Sequence, residues 1–186
     1  MDSRKNELRK RFRKEREFHH EAIDSEGLHW QHLITSHEFL AASVIASYIS
    51  YGTEPETRVI NEAVLSQKKV LLIPRMLPDK NLEWIPWNGS LENLQLSGNH
   101  YEPLGNPYSG SIDLVIVPAL HIDRTGNRLG QGGGSYDRAL KNLSAWKIAL
   151  VYPGELTSEE IPVELHDQRM DAVATPELLV RFTKQS

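Results

Sequence analysis

The sequence contains no cysteine. That excludes disulfide staples, thiolate nucleophiles and zinc sites built on sulfur, and it suits a reducing compartment. No apolar run approaches the length needed to cross a bilayer. The opening residues are charged rather than apolar, so no secretory signal is read there, and a cytoplasmic location is the expectation. A large charge of one sign is missing too. The formal net charge is -4, which argues against general nucleic-acid binding through a basic surface. Basic residues concentrate in one place only, the N-terminal stretch with Arg4, Lys5, Arg9, Lys10, Arg11, Arg13, Lys14 and Arg16. The eight histidines show no metal-ligand spacing. The 186 residues suit one domain, taken as 1–186.

What is present is an alternation of helical and strand patterns. Residues 3–23 read as a helix with Leu8, Phe12 and Phe18 as an apolar stripe on a charged segment. Residues 28–38 read as a second helix. Residues 44–50 are a β-rich run closed by Tyr51-Gly52, and 57–67 return to helical periodicity through Val59, Ile60, Ala63 and Val64. Residues 70–73 and 113–118 are continuous apolar runs, the pattern of strands covered on both faces. A helix is expected from Tyr136 to Asn142 and a strand from Trp146 to Tyr152. Residues 78–110, rich in Pro, Gly and Asn, read as a small hairpin or a lid. The order predicts an α/β fold: an open, mainly parallel sheet with helices on both faces, in a single domain. Ligands of such folds sit beyond the carboxyl ends of the strands. Three segments would meet there: Ser50–Glu56, Pro74–Met76 and His121–Asp137.

The last of these holds the strongest signal. Gly126, Gly130, Gly132, Gly133 and Gly134, five of the twelve glycines, fall within nine residues beside Arg128 and Asp137. Glycine at this density weakens a fold unless backbone must approach a ligand closely or adopt positive φ. A run of backbone N–H groups with an arginine beside it suits phosphate oxygens. Lysine does not follow in the Gly-Lys-Ser/Thr arrangement, so this is not a P-loop of the common kind. Taken alone, Asp137 reads as a first-turn carboxylate favoured by the helix dipole; beside a triphosphate it reads as a magnesium ligand. Asp123 reads as a turn residue. Lys5 and Arg9, four apart, share one helix face. They are either a solvated surface or two cations lent to the phosphates. Arg75 is open between a surface charge and an anion ligand, and Glu54 between a solvated loop and a site residue.

Read together, these residues resemble the 5-formyltetrahydrofolate cyclo-ligase family. The likeness starts at Lys5-x-x-Leu8-Arg9. It continues through Tyr48-Ile-Ser-Tyr-Gly-Thr-Glu54-Pro-Glu-Thr57, Ile73-Pro-Arg75 and Glu102-Pro103. It peaks at Asp113-Leu-Val-Ile-Val-Pro118 and Asp123-x-x-Gly-Asn-Arg-Leu-Gly-x-Gly-Gly-Gly-x-Tyr-Asp-Arg138. It closes with Pro162-Val-Glu-Leu-His-Asp167, Asp171 and Thr175-Pro-Glu177. The resemblance implies an enzyme that turns 5-formyltetrahydrofolate into 5,10-methenyltetrahydrofolate with ATP and magnesium (Mg2+), through a phosphorylated formyl group. It implies Arg128 as the catalytic cation. It assigns Lys5, Arg9, Arg128, Gly130, Gly132, Gly133, Gly134, Ser135 and Tyr136 to ATP. Ile49, Glu54, Gln131 and Ser135 go to the reduced folate, and Asp137 and Asp171 to the metal. Trp87 and Tyr101 are stacking candidates on chemical grounds. A monomer that binds neither nucleic acid nor membrane is expected.

Two stretches depart from the family pattern. Ser135 stands where the family usually has a tyrosine of the folate pocket. Tyr152-Pro-Gly-Glu155 stands where an acidic residue and then glutamine are usual. These departures keep open an ATP-using relative with another substrate, and a non-catalytic folate or nucleotide binder.

Overall fold

Continuous apolar runs with β-branched residues become the inner strands of one sheet, and segments of helical period cover its two faces. The computed structural model describes residues 3–22 and 30–183. In chain order its helices are α1 (Ser3–Ala22), α2 (Gln31–Ile34), α3 (His37–Ala41), α4 (Arg58–Ser66) and α5 (Ser135–Leu140). Its strands are β1 (Val44–Ala46), β2 (Val70–Met76), β3 (Leu82–Pro86), β4 (Leu94–Ser97), β5 (His100–Pro103), β6 (Leu114–Pro118), β7 (His121–Asp123), β8 (Arg128–Leu129), β9 (Trp146–Leu150), β10 (Leu156–Thr157), β11 (Ala172–Ala174) and β12 (Leu179–Arg181).

The main sheet has seven strands in the order β12-β11-β9-β6-β1-β2-β3. The five inner strands are parallel, and the two edge strands, β3 and β12, are antiparallel to their neighbours. Side chains alternate across the sheet. Leu114 and Ile116 join Ile45, Leu71 and Ile148 on one face, under Leu33, Phe39, Ile60 and Val64 from α2, α3 and α4. Val115 and Val117 join Ala46, Leu72 and Ala149 on the other, with Leu140 of α5. Ile116 and Val117 are both fully buried, and cutting such a side chain to alanine costs about 2–5 kcal/mol for an isoleucine. The α/β class, the parallel core and the helices on both faces are therefore as the sequence predicts.

Several boundaries differ. Of the helix expected over 28–38, residues 28–29 lie outside the described residues, and the remainder is two short helices. The break falls at Thr35-Ser36, where the Ser36 hydroxyl accepts from the Phe39 N–H and caps α3. β1 ends at Ala46 rather than Ser50, because the chain turns away to carry Tyr48–Glu54 beyond the sheet. β9 likewise ends at Leu150. Phe18 is 69% exposed and does not extend the stripe of Leu8 and Phe12, which pack with Leu129 and Ile161. The 78–110 segment contributes β3 to the main sheet and folds β4 and β5 into a separate hairpin.

β2 follows β1 on one side, whereas β6, β9 and β11 build outward on the other. The winding therefore reverses between β1 and β6, and the crevice beyond their carboxyl ends is the ligand position of such sheets. A second sheet, β10-β7-β8, stands beside it. Against that sheet lies α1. Its Phe12 ring stacks on His121 at 3.7 Å between centroids and 5° between planes. Burial lowers the His121 pKa to about 4, so a neutral imidazole meets the ring.

Candidate active site

A cleft of about 490 Å³ opens at the switch point, lined by Tyr48 and Ile49 after β1, Met76 at the end of β2 and Pro118 at the end of β6. Across its floor run Gly130 to Gly134, between β8 and α5. Lys5 and Arg9 reach it from α1. Two glycines here have a steric reason. Gly134 caps α5 with φ 67°, and a Cβ on it would stand 2.9 Å from Arg138 Nη1. A Cβ on Gly130 would stand 2.6 Å from Arg128 Nη1. Glycine lets the guanidinium groups lie against the loop backbone.

Arg128 is held from two sides. It donates through Nη1 to the Pro118 carbonyl at 3.1 Å and through Nη2 to Asp137 Oδ2 at 2.8 Å. Its side chain is 4% exposed, yet its Nε has no hydrogen-bond partner among the described residues. A buried, unsatisfied guanidinium N–H is unfavourable unless something accepts from it, and an anion in the cleft is such an acceptor. Arg9 donates from Nε to the Gly130 carbonyl at 3.0 Å and from Nη1 to Asn6 Oδ1 at 2.8 Å. Burial lowers its pKa, and Arg13 adds to that. Arg13 holds Gln131 by Nε to the side-chain oxygen at 3.0 Å and by Nη2 to the carbonyl at 2.8 Å. Lys5 is buried and pairs with Asp167 and, at 3.2 Å, with Glu164.

Asp137 accepts from Arg128 and, through Oδ1, from the Gln168 N–H at 3.1 Å. Asp171 is not brought to this cleft. Its Oδ2 accepts from the Lys147 N–H at 2.9 Å. Asp171 precedes β11 and Lys147 opens β9, so the parallel register places the carboxylate at the N-terminal ends of the strands, opposite the cleft. The position beside Asp137 belongs to Asp167 instead. Burial pushes the Asp167 carboxyl up, but bonds from Lys5 and the Glu164 N–H outweigh it and leave the pKa lowered. One ligand atom each from Glu164, His166 and Asp167 lie within 4.8 Å of one another. Carboxylates of this kind suit a hard divalent cation. The stretch Pro162–Asp167 carried this signal in the sequence, four residues before Asp171.

On the opposite wall Glu54 enters from the loop after β1. Burial raises its pKa to about 7, against the Tyr51 N–H and Arg16, which lower it. Ile49, Gln131, Gly132, Gly133, Ser135 and Tyr136 also line the cleft. Tyr136 is held edge-on to Trp84 at 6.2 Å and lies under the Arg128 guanidinium at 5.8 Å. Trp87 and Tyr101 are elsewhere. Trp87 packs on the core and donates to the Ser90 carbonyl, and Tyr101 is half exposed on β5. Tyr51 and His100, in ring contact at 5.7 Å, are the aromatics of the rim. Neither stands in an apolar run, so periodicity does not single them out. Arg75 is a structural cation bound to Glu83 at 2.8 Å and the Gly105 carbonyl at 3.0 Å. Asp123 is a turn residue, its oxygens taken by Thr125, Asn127 and the Ile161 N–H.

A parallel α/β sheet whose switch-point cleft joins a glycine floor, several cations and a buried carboxyl has the layout of an α/β enzyme. Comparison with known proteins gives the particular family. The model of the 5-formyltetrahydrofolate cyclo-ligase family matches residues 1–176, and the chain belongs to that family of enzymes. The 5-formyltetrahydrofolate cyclo-ligase of Mycolicibacterium smegmatis is 33% identical over 147 residues, covering 74% of this chain and 75% of that protein. The Mus musculus enzyme of the same name is 29% identical over 159 residues, covering 77% and 78%. The NMR structure of Aquifex aeolicus 5,10-methenyltetrahydrofolate synthetase shares the fold with a TM-score of 0.80 at 24% identity, over 98% of this chain and 94% of that one. No helix among the described residues is long and apolar enough to cross a membrane.

Proposed function

We propose that this enzyme closes 5-formyltetrahydrofolate to 5,10-methenyltetrahydrofolate, consuming ATP as its second substrate. The observation that carries the reading is the pairing, in one cleft, of a glycine-floored cluster of cations with the isolated carboxyl of Glu54. The family name and the names of the relatives support the substrate, and the residues lining the cleft support the roles argued below.

The chemical difficulty is the formyl oxygen, which leaves an amide poorly. Transfer of the γ-phosphoryl group to that oxygen, with loss of ADP, makes it a good leaving group. N10 then attacks the former formyl carbon and gives up its proton, and inorganic phosphate departs with the oxygen and carries that proton away. Phosphoryl transfer asks a protein mainly for alignment and charge neutralisation. Arg128 and Arg9 offer fixed guanidinium donors, Lys5 a buried ammonium, and Gly130–Tyr136 a floor of backbone close to both arginines. Arg128 Nε–H, without a hydrogen-bond partner among the described residues, can donate to a phosphate oxygen. Asp137 and Asp167, with Glu164 beside them, would hold a magnesium ion, which when bound neutralises phosphate charge. Glu54 accepts hydrogen bonds from the pterin amino and ring N–H groups when ionised, and Ile49 packs beside it.

The test is direct. Purified protein is mixed with 5-formyltetrahydrofolate and Mg-ATP, and the near-ultraviolet band of the methenyl product is followed. Growth of the band that requires both ATP and magnesium supports the reading. Loss of ATP without the band shows a different acceptor, and a band without ATP removes the phosphorylation step.

A further inference from the structure

The loop that carries Glu54 is held in an unusual way. Three consecutive backbone carbonyls each accept a hydrogen bond from an aromatic side chain. Tyr152 Oη donates to the Glu54 carbonyl at 3.1 Å, Tyr48 Oη to the Pro55 carbonyl at 3.3 Å, and Trp30 Nε1 to the Glu56 carbonyl at 2.9 Å. The base of the loop is tied as well. Thr57 Oγ1 and Asn61 Nδ2 both donate to the Tyr48 carbonyl, at 2.6 and 3.0 Å. The backbone is therefore fixed through its carbonyls while the Glu54 side chain lines the cleft.

Tyr152 differs from the other two because of what stands behind it. Its own N–H donates to Glu155 Oε2 at 2.7 Å. Glu155 forms a two-pronged pair with Arg16, Nε and Nη2 each at 2.6 Å from one oxygen. Arg16 is 1% exposed and its guanidinium stands 5.6 Å from the Tyr152 ring. Arg16 belongs to α1, the helix that brings Lys5 and Arg9 to the glycine floor. We propose that Tyr152 is a positioning residue: braced by the Arg16–Glu155 pair, its hydroxyl fixes the backbone of Glu54 and so sets the carboxyl against the substrate, linking that carboxyl to the helix of the phosphate side. The inference rests on the proposed function for its substrate and on the hydrogen bonds alone for its geometry. Burial raises the Tyr152 pKa to about 12, so the hydroxyl keeps its proton to donate.

Tyr152→Phe removes the hydroxyl and leaves the ring over Arg16. The expected result is a KM for 5-formyltetrahydrofolate raised about tenfold, the size of one lost positioning hydrogen bond, with kcat and the KM for Mg-ATP within about twofold. In a cycle with Glu54→Gln, the hydroxyl should lose its effect, since the carboxyl it places is gone. Equal rises in both KM values, or additive effects in the cycle, would overturn the proposal. A second readout needs no turnover. Carbon-13 titration of the Glu54 carboxyl in wild type and Tyr152→Phe should show its pKa falling by about one unit in the variant, as the loop lifts toward water. The groups facing it are Arg16, Tyr48, Tyr51, Tyr136 and Tyr152. An unmoved titration overturns the inference. Wild type that makes no methenyl product counts against the proposed function, and the titration then decides the positioning role alone.

Discussion

On the glycine side of the cleft, side chains are brought to backbone: Arg9 donates to the Gly130 carbonyl, Arg138 to the Gly133 carbonyl, and Arg13 to the Gln131 carbonyl. On the Glu54 side the same kind of bond serves another end. Aromatic donors fix three backbone carbonyls so that one side chain is presented. The first half is a set of held cations resting on a glycine-rich floor, and it suits a ligand with several anionic oxygens. The second half is a single acceptor of adjustable charge in an apolar frame, and it suits a ligand with N–H groups in one plane. The guanidinium charges of the first half are insensitive to pH near neutrality, because these groups stay protonated. Charge in the second half is not, because Glu54 titrates at about 7. The helix α1 serves both, with Lys5 and Arg9 on one side and Arg16 bracing the other.

The comparison breaks most completely where the halves share a support. Glu155→Ala leaves the buried Arg16 guanidinium with the Ala119 and Leu120 carbonyls as its remaining acceptors among the described residues. Breaking a buried pair from one side costs about 3–5 kcal/mol, so the urea midpoint should fall sharply and KM for both substrates should rise. A loss confined to the folate KM would show that α1 does not join the two halves. Arg128→Ala tests the phosphate half by itself. On the proposed mechanism it removes transition-state charge stabilisation and should lower kcat by a factor on the order of a hundred, with the folate KM little changed, as stopped-flow and steady-state assays would show. Equal damage to the folate KM would mean that the halves are not separable.

The substrate half should answer to pH. The folded pKa of Glu54 is raised to about 7 from an ordinary 4.5. Its protonated form is therefore the one the fold favours, and stability contributed below the ordinary value is lost as pH rises through about 7. Binding has the opposite sign, because only the carboxylate accepts two N–H bonds. The folate KM should fall about tenfold from pH 6 to pH 8, the scale of a charged against a neutral acceptor, while Glu54→Gln should flatten the profile and stabilise the protein at pH 8. A KM independent of pH in the wild type would remove Glu54 from the substrate contact.

How much of this was legible in the residues differs between the halves. The continuous runs of β2, β6 and β9 announced buried parallel strands, because hydrophobic burial on both faces leaves no alternation to misread. The glycine floor and Arg128 stood in one local stretch, since a turn that admits guanidinium groups needs its glycines close together. β7, β8, β10 and β12 were not legible, being two or three residues long, below any period. Asp167 lies within a matching stretch and lines the cleft, whereas Asp171 does not; spacing alone does not say which of two carboxylates four apart faces a cleft, and register with β9 decides it. Tyr152, Tyr48 and Trp30 converge from positions 104 and 18 residues apart, so no local pattern reveals the clamp.

Ser135 tests the seam between the halves with the smallest expected effect. It opens α5 directly after the glycine floor, lines the cleft and is nearly buried. Where the family usually carries a tyrosine, this chain offers a hydroxymethyl group there, and the aromatic surface of the cleft comes instead from Tyr51 and His100 at the rim and Tyr136 beside Arg128. Ser135→Tyr restores a ring at the first turn of α5. One aromatic contact is worth about 0.5–1.5 kcal/mol beyond its burial, so the folate KM should fall by roughly twofold to tenfold at an unchanged Mg-ATP KM. If the rim pair already fills that space, the new ring will instead raise the folate KM, and Ser135→Tyr combined with Tyr51→Ala will recover it. A folate KM untouched by the substitution would detach position 135 from the substrate half and leave it to the phosphate floor alone.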